Sequence, residues 1–256
     1  MNVTELRVFL DQKANIYNRP DFIESDPISI PHRYSRKEDI EISGFLSAII
    51  SWGNRTTILN NARRLMMLMD DQPYLFIRDA GERDLAMFRN FVHRTFNESD
   101  LLFFIDSLRN IYHTLGDLES AFADGLKGGE KDVFNAIMHF RSVFLSVMHL
   151  PRSEKHLANP SKGSTAKRIN MFLRWMVRED NNGVDFGIWQ RILPSQLCCP
   201  LDVHSGRVAR ELGLLTREQN DWKAVVELTE NLRAFDPNDP VRYDFALFGS
   251  GVNNKR

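Results

Sequence analysis

Residues 199–213 read Cys199-Pro200-Leu201-Asp202-Val203-His204-Ser205-Gly206-Arg207-Val208-Ala209-Arg210-Glu211-Leu212-Gly213 and contain the most informative pattern of the chain. Pro200 breaks the preceding chain, and Asp202 stands where the following helix begins. An aspartate at this position accepts the N–H groups of the first helical turn, which have no partner within the helix. Gly213 suits the residue just past the helix end. The pattern therefore predicts a helix capped by Asp202 and ended at Gly213.

The remaining chain reads as a series of helices. Apolar residues recur with the helical period of 3.6 over many segments, and neither an internal repeat nor a convincing strand hairpin is visible. Residues 40–50 are apolar nearly all round, which indicates a helix buried on most sides. Ser35 and Glu38 have the spacing of a capping box for that helix. These patterns predict an all-α fold.

Composition limits the class of protein. The chain has 256 residues, a net charge of −1 and 43% hydrophobic residues, which is enough for one sizeable core or two small lobes. A neutral total weakens the case for a nucleic-acid partner but leaves room for positive charge confined to one face. Two adjacent cysteines indicate a reducing, cytoplasmic location, and no apolar run is long enough to cross a membrane.

Three segments together resemble the helix-hairpin-helix (HhH-GPD) DNA glycosylase superfamily. The strongest is Pro200-Leu-Asp-Val-His, followed by Arg207-Val and Leu212-Gly. Leu46-Ser-Ala-Ile-Ile-Ser-Trp-Gly-Asn-Arg-Thr-Thr-Ile-Leu-Asn-Asn-Ala62 is similar to the segment whose turn fills the gap left by a flipped base. Gly163-Ser-Thr-Ala-Lys-Arg-Ile169 resembles the second half of the phosphate-binding hairpin. The resemblance covers about 41–251 and points to an uncharacterised bacterial branch, a domain of unknown function.

The resemblance implies a single compact helical unit of two lobes with a cleft between them. One lobe spans about 40–155, and the other combines 1–35 with 156–256. It implies a base-excision-repair enzyme that hydrolyses the N-glycosidic bond of a flipped base in duplex DNA. Asp202 would stabilise the positive charge that develops on the sugar. Ser164 stands where the family has its catalytic lysine, so we expect a monofunctional enzyme with Lys167 as the reserve nucleophile.

The same resemblance suggests the remaining site residues. Trp52, Trp175 and Trp189 are candidates for the wall of the base pocket. The candidate DNA contacts are Asn54, Arg55, Lys162, Gly163, Ser164, Thr165, Arg168, His204 and Arg207. We expect no cofactor and no metal, because the histidines lack paired ligand spacing. We expect no iron–sulfur cluster, because the sequence stops soon after Gly251 without the four cysteines.

Plainer interpretations stay open. Asp202 serves equally well as a structural cap, the tryptophans as core, and Lys162 and Lys167 as surface charge. Phe88, Phe91 and Val92 fit a helical core, although Arg89, His93 and Arg94 between the aromatic residues also fit a surface that stacks single strands. Two other functions therefore remain: a non-catalytic DNA-structure binder that keeps the glycosylase fold, and a helical protein-interaction domain.

Overall fold

A computed structural model describes residues 1–253 and confirms a mostly helical protein. The α-helices are, in chain order, α1 (Val3–Tyr17), α2 (Asp21–Glu24), α3 (Lys37–Ile49), α4 (Arg55–Met67), α5 (Pro73–Asp79), α6 (Glu82–Leu85), α7 (Glu98–Thr114), α8 (Leu118–Ala123), α9 (Phe134–Phe144), α10 (Lys167–Val177), α11 (Val203–Glu211), α12 (Trp222–Arg233) and α13 (Asp244–Asn253). Short 3₁₀ helices span Pro27–Ser29, Pro31–Arg33, Ala86–Phe88, Pro151–His156, Pro160–Lys162, Pro194–Gln196 and Pro240–Tyr243.

The chain forms two compact units. Unit 1 contains 1–24, 128–134 and 159–256, and unit 2 contains 25–127 and 135–158. Unit 1 therefore includes α1, α2 and α10 to α13, whereas α3 to α8 and nearly all of α9 belong to unit 2. No helix within 1–253 combines the length and apolar character that a membrane crossing requires.

An aromatic cluster forms the core of unit 2. The ring centres of Phe104 and Phe144 lie 4.8 Å apart, and those of Phe45 and Phe140 lie 5.4 Å apart. Phe122 stacks on Phe140 at 4.0 Å. All five rings are fully buried. They come from α3, α7, α8 and α9, so their packing joins four helices through edge and stacked contacts that aromatic rings favour.

The structure confirms the burial of α3 and corrects its start. Residues 40–49 of α3 are all buried, as the apolar pattern predicted. The predicted capping box of Ser35 and Glu38 is wrong, because the helix begins at Lys37 and its N-cap position, Arg36, makes no side-chain capping bond. Glu38 instead accepts a hydrogen bond from the Arg36 guanidinium at 2.9 Å.

A two-stranded antiparallel hairpin corrects the expectation that the chain has no strands. β1 (Val92–His93) pairs with β2 (Phe96–Asn97). Phe88, Phe91 and Phe96 are fully buried, whereas Val92 is 52% exposed and was wrongly assigned to a helical core. Successive residues of a strand face opposite sides, so Val92 points outward and His93 inward. Strands of two residues are too short to show this alternation in the sequence.

Helix α13 is central to unit 1, where it packs against both α1 and α11. Its contact with α1 requires a glycine, because a Cβ at Gly249 would lie 2.1 Å from Cδ2 of Tyr17. The helix begins at Asp244, directly after the 3₁₀ turn Pro240–Tyr243. Tyr243 donates a hydrogen bond to Asp11 of α1 at 3.1 Å.

We predict that Phe104→Ala lowers the free energy of unfolding by about 3–5 kcal/mol, because it removes a fully buried ring and leaves a cavity among other rings. Urea denaturation followed by circular dichroism measures this loss. Met148→Ala is the matched control in unit 2. Met148 is 96% exposed, so its loss should change the same quantity by less than about 0.5 kcal/mol. Equal losses in the two variants would contradict the packing described above.

Candidate functional site

Asp202 caps α11, as the sequence predicted. Its Oδ1 accepts hydrogen bonds from the backbone N–H of His204 at 2.8 Å and of Ser205 at 3.0 Å. The Ser205 hydroxyl accepts from the Asp202 N–H at 2.9 Å, which completes a capping box. At the other end, Gly213 has a φ of +72° and follows the last turn. One carboxylate oxygen is therefore used by the helix, and Oδ2 is available for another contact.

The turn before α10 places Lys167 at the first position of that helix. A single 3₁₀ turn, Pro160–Lys162, is followed by Gly163, whose φ of +85° is left-handed. In the helix-hairpin-helix pattern, two helices are joined by a glycine turn. In this chain, the element before the glycine is only a 3₁₀ turn, and the element after it is α10. Ala166 is also left-handed, with a φ of +47°. A residue with a Cβ adopts this conformation at a cost of about 1 kcal/mol or more, so surrounding contacts hold the backbone just before Lys167.

Lys167 and Asp202 meet in space although 35 positions separate their numbers. The Lys167 Nζ lies 3.4 Å from Oδ2 of Asp202. Both side chains are about one quarter exposed, at 27% and 28%. Ser164, which occupies the lysine position of the glycosylase pattern, uses its hydroxyl to accept the Ala166 N–H at 3.2 Å. The lysine beside the aspartate is therefore Lys167.

The surroundings of Asp202 hold it in the charged form. Burial acts to raise the pKa of its carboxyl group. The Lys167 charge and the N–H donors of Ser205 and His204 outweigh burial, so the pKa lies below the ordinary value of 3.8. The position of Asp202 at a helix N-terminus already favours the charged form. The structure adds the lysine.

A buried charge cluster lies farther along α10. The guanidinium of Arg174 is paired with Asp244 of α13 and, at 3.2 Å, with Asp185. Arg178 is paired with Asp185 at 3.1 Å and with Asp239 at 2.8 Å. Sequence reasoning did not find this cluster. One sequence feature could have linked Arg174 to the candidate site. Arg174 lies seven residues after Lys167, and residues seven apart share one face of a helix.

Asp244 is electrostatically part of the candidate site. Burial raises the pKa of its carboxyl group to about 6, and the negative charge of Asp202 adds to this increase. The charges of Arg174 and Lys167 act in the opposite direction without cancelling it. Asp202 and Asp244 are thus two carboxyl groups with pKa values shifted in opposite directions, and Lys167 acts on both.

The other predicted DNA contacts of unit 1 differ in their exposure to solvent. Lys162 and Gly163 are exposed, and Ser164 and Thr165 are partly exposed. His204 and Arg207 are exposed on α11, where Arg207 forms an ion pair with Glu211 at 2.8 Å.

Arg168, the remaining predicted contact of unit 1, is partly exposed, like Ser164 and Thr165. Burial lowers the pKa of its guanidinium to about 10, which leaves it charged at neutral pH.

The three candidate tryptophans occupy different environments. Trp175 and Trp189 are buried in unit 1, at 0% and 2% exposure. The Trp189 ring packs edge-on against Phe172 at 5.4 Å. Both side chains belong to the core of unit 1. Trp52 of unit 2 is partly exposed, stands edge-on to His93 at 4.8 Å and stacks on His156 at 5.9 Å.

Asn54 and Arg55 have structural contacts in unit 2. The Asn54 side chain caps α4 by accepting the Thr57 N–H at 3.2 Å. Arg55 donates to the Ser25 carbonyl at 3.1 Å and lies 3.8 Å from the carboxylate of Asp26. Across 1–253, no group of three or more His, Cys, Asp or Glu side chains is arranged to hold a metal ion.

The fold and the site define a mostly helical protein in which a capping aspartate and a lysine at the first position of another helix form a partly exposed ion pair. Residues 26–253 match the family described as protein of unknown function (DUF2400), and the chain belongs to this family. Comparisons with curated proteins and with solved structures gave no match.

We predict that Asp202→Ala lowers the free energy of unfolding by about 1 kcal/mol, because the first turn of α11 loses its cap. Asp202→Asn should lose less, because an asparagine side chain also caps a helix N-terminus. Urea denaturation at neutral pH compares both variants with the wild type. A larger loss for Asn than for Ala would contradict the capping role.

We predict that Asp244 makes the protein less stable as the pH rises from about 4 to about 6. Its folded-state pKa of about 6 exceeds the unfolded value of 3.8, so the folded chain binds more protons in this range. The loss is up to about 3 kcal/mol, since one pKa unit corresponds to about 1.4 kcal/mol. Urea denaturation across this range should show the wild type losing stability relative to Asp244→Asn. Parallel pH profiles would contradict the raised pKa.

Proposed function

We propose that this protein is a DNA glycosylase-like enzyme of base-excision repair with the two-lobed HhH-GPD fold. The observation that carries the proposal is the 3.4 Å contact between Lys167 and Asp202. The two residues belong to the two segments of unit 1 that resemble the glycosylase superfamily, and the fold brings them together at the starts of α10 and α11.

The proposed reaction is hydrolysis of the N-glycosidic bond of a flipped base in duplex DNA. As the base leaves, positive charge develops on the sugar, and a carboxylate held beside C1′ stabilises it. Asp202 suits this role because its lowered pKa keeps it ionised at neutral pH and because it is partly exposed. Its other oxygen is fixed by two backbone N–H groups, which limits reorganisation during the reaction.

Lys167 sets the choice between two glycosylase mechanisms. A bifunctional enzyme uses a neutral amine to attack C1′ and form a Schiff base. Here Ser164 occupies the position of the family's lysine, and the Lys167 Nζ is engaged by Oδ2 of Asp202 at 3.4 Å. We therefore propose monofunctional hydrolysis, in which Lys167 orients Asp202 and interacts with the DNA backbone.

A non-catalytic DNA-structure binder is the second candidate function. The observation that favours it is the same ion pair, because a lysine that neutralises Asp202 also weakens the field that the carboxylate exerts on a sugar cation. This candidate predicts duplex binding without base release.

We predict that Asp202→Asn reduces base release at least about 100-fold, by analogy with the loss of a single electrostatic group in other active sites. The measurement uses fluorescent duplexes that each carry one damaged or mismatched base, followed by alkali to cut at abasic sites. Duplex affinity, measured by fluorescence anisotropy, should stay within a few-fold of the wild type. Since asparagine preserves the cap, loss of activity would not reflect loss of α11.

Borohydride trapping separates the mechanisms. Wild-type protein incubated with a cleaved duplex should give no covalent adduct, and Lys167→Gln is the matched control. A trapped adduct that disappears in Lys167→Gln would overturn the monofunctional mechanism. Duplex binding with no base release from any lesion would favour the non-catalytic binder. Absence of both binding and base release would favour a helical interaction domain.

A further inference from the structure

Unit 2 contains an uneven distribution of charge. The chain as a whole has 33 basic and 34 acidic residues, yet 51–69 and 85–97 contain no aspartate or glutamate. These two stretches contain five arginines: Arg55, Arg63, Arg64, Arg89 and Arg94. In a chain with nearly equal numbers of both charges, this separation marks a positively charged surface.

The two stretches pack against each other in opposite directions. The guanidinium of Arg94 covers Gly53, where an added Cβ would lie 2.6 Å from Nη1. Farther along, the side-chain amide of Asn61 lies 2.9 Å from Nδ1 of His93. The Arg64 guanidinium is 5.8 Å from the centre of the Phe91 ring. Arg94 therefore lies beside the turn before α4, and Arg64 lies toward the other end of that helix. The helix from Arg55 to Arg64 rises about 14 Å at 1.5 Å per residue.

Four of the five arginines are available to a partner. Arg63, Arg64, Arg89 and Arg94 are exposed, and none forms an ion pair within 1–253, whereas Arg55 is held by Ser25 and Asp26. Glu98 lies at the edge of the surface, where its carboxylate accepts the Asn90 N–H at 3.0 Å. We name this region the arginine surface; it consists of Arg63, Arg64, Arg89 and Arg94.

The groups between the arginines suit phosphate oxygens. Helix α4 begins at the turn that Arg94 covers, and its first turn contains no acidic residue. The positive end of the helix dipole therefore adds to the arginine charge. Thr56, Asn60 and Thr95 are exposed between the arginines, and hydroxyl and amide donors together with arginine make most protein contacts to the DNA backbone.

We infer that the arginine surface binds the phosphate backbone of duplex DNA, with Arg94 at the hairpin tip as a phosphate contact beside the turn at Gly53. This inference takes its partner from the proposed function, but it concerns binding and not base release. Charge complementarity selects a polyanion, and exposed cations spread along about 14 Å of helix fit successive phosphates better than a single bound ion.

The test measures the affinity of the full chain for a labelled, undamaged duplex at several salt concentrations by fluorescence anisotropy. Arg94 has a φ of +57°, which asparagine tolerates well, so Arg94→Asn removes the charge without adding backbone strain. We expect about tenfold weaker binding at low salt and a slope of log affinity against log salt that is smaller by about 0.9. Arg63→Gln with Arg64→Gln should act in the same direction.

Two matched variants control for charge and for fold. Arg94→Lys keeps the charge and should retain most of the affinity and the full salt slope. Arg78 is also exposed in unit 2 but is paired with Asp79 at 2.6 Å, so Arg78→Gln should bind like the wild type. Circular dichroism confirms that each variant is folded.

The outcomes separate this inference from the proposed function. Wild-type affinity and slope in Arg94→Asn and in the Arg63 and Arg64 variant would overturn the arginine surface, whatever the result for base release. Preference of the wild type for duplex RNA or for polyglutamate, or no binding at all, would overturn it as well. Base release is scored separately through Asp202→Asn, so the failure of one proposal does not decide the other.

Discussion

The pairing of the buried Arg174 side chain is the constraint on which the candidate site depends. A guanidinium that is almost fully removed from water is tolerated only when carboxylates compensate its charge, and Asp185 and Asp244 do so. Arg174 lies two turns beyond Lys167 on α10, and Asp244 is the first residue of α13, which packs against α11. The ion pair therefore joins α10 to α13 and fixes where Lys167 meets the cap of α11.

This arrangement separates the behaviour of two carboxyl groups. Asp202 is partly exposed and receives two N–H groups and a lysine, so its pKa is lowered, whereas Asp244 is buried and its pKa is raised to about 6. Neighbouring groups with opposite shifts are typical of acid–base sites. They also occur in structural ion-pair networks, and the Arg174 and Arg178 cluster is one. The exposure of Lys167 and Asp202 distinguishes the candidate site from that cluster, because a substrate reaches only groups that contact solvent.

Unit 2 shows how a nearly neutral chain presents a strongly charged face. Residues 51–69 and 85–97 contain no acidic residue. These two stretches are neighbours in space, because Arg94 packs against Gly53 and Asn61 contacts His93. The phenylalanines of the same segment are fully buried, and the Arg64 guanidinium lies 5.8 Å from the centre of the Phe91 ring. The aromatic residues thus support the surface from inside, and the stacking surface that Phe88, Phe91 and Phe96 suggested in the sequence is not formed.

Local sequence was enough to predict the helical class, the buried helix over 40–49 and the Asp202 cap, because these depend on periodicity and on hydrogen bonds between residues two or three positions apart. It did not determine the hairpin of Val92 to Asn97, whose strands are too short to show a period. Three features depend on the three-dimensional fold: the pairing of Lys167 with Asp202, the burial of Asp244 and the alignment of Arg94 with Gly53. Each joins residues from separate elements, and the electrostatic effect of such pairs depends on distances and burial that local sequence does not encode.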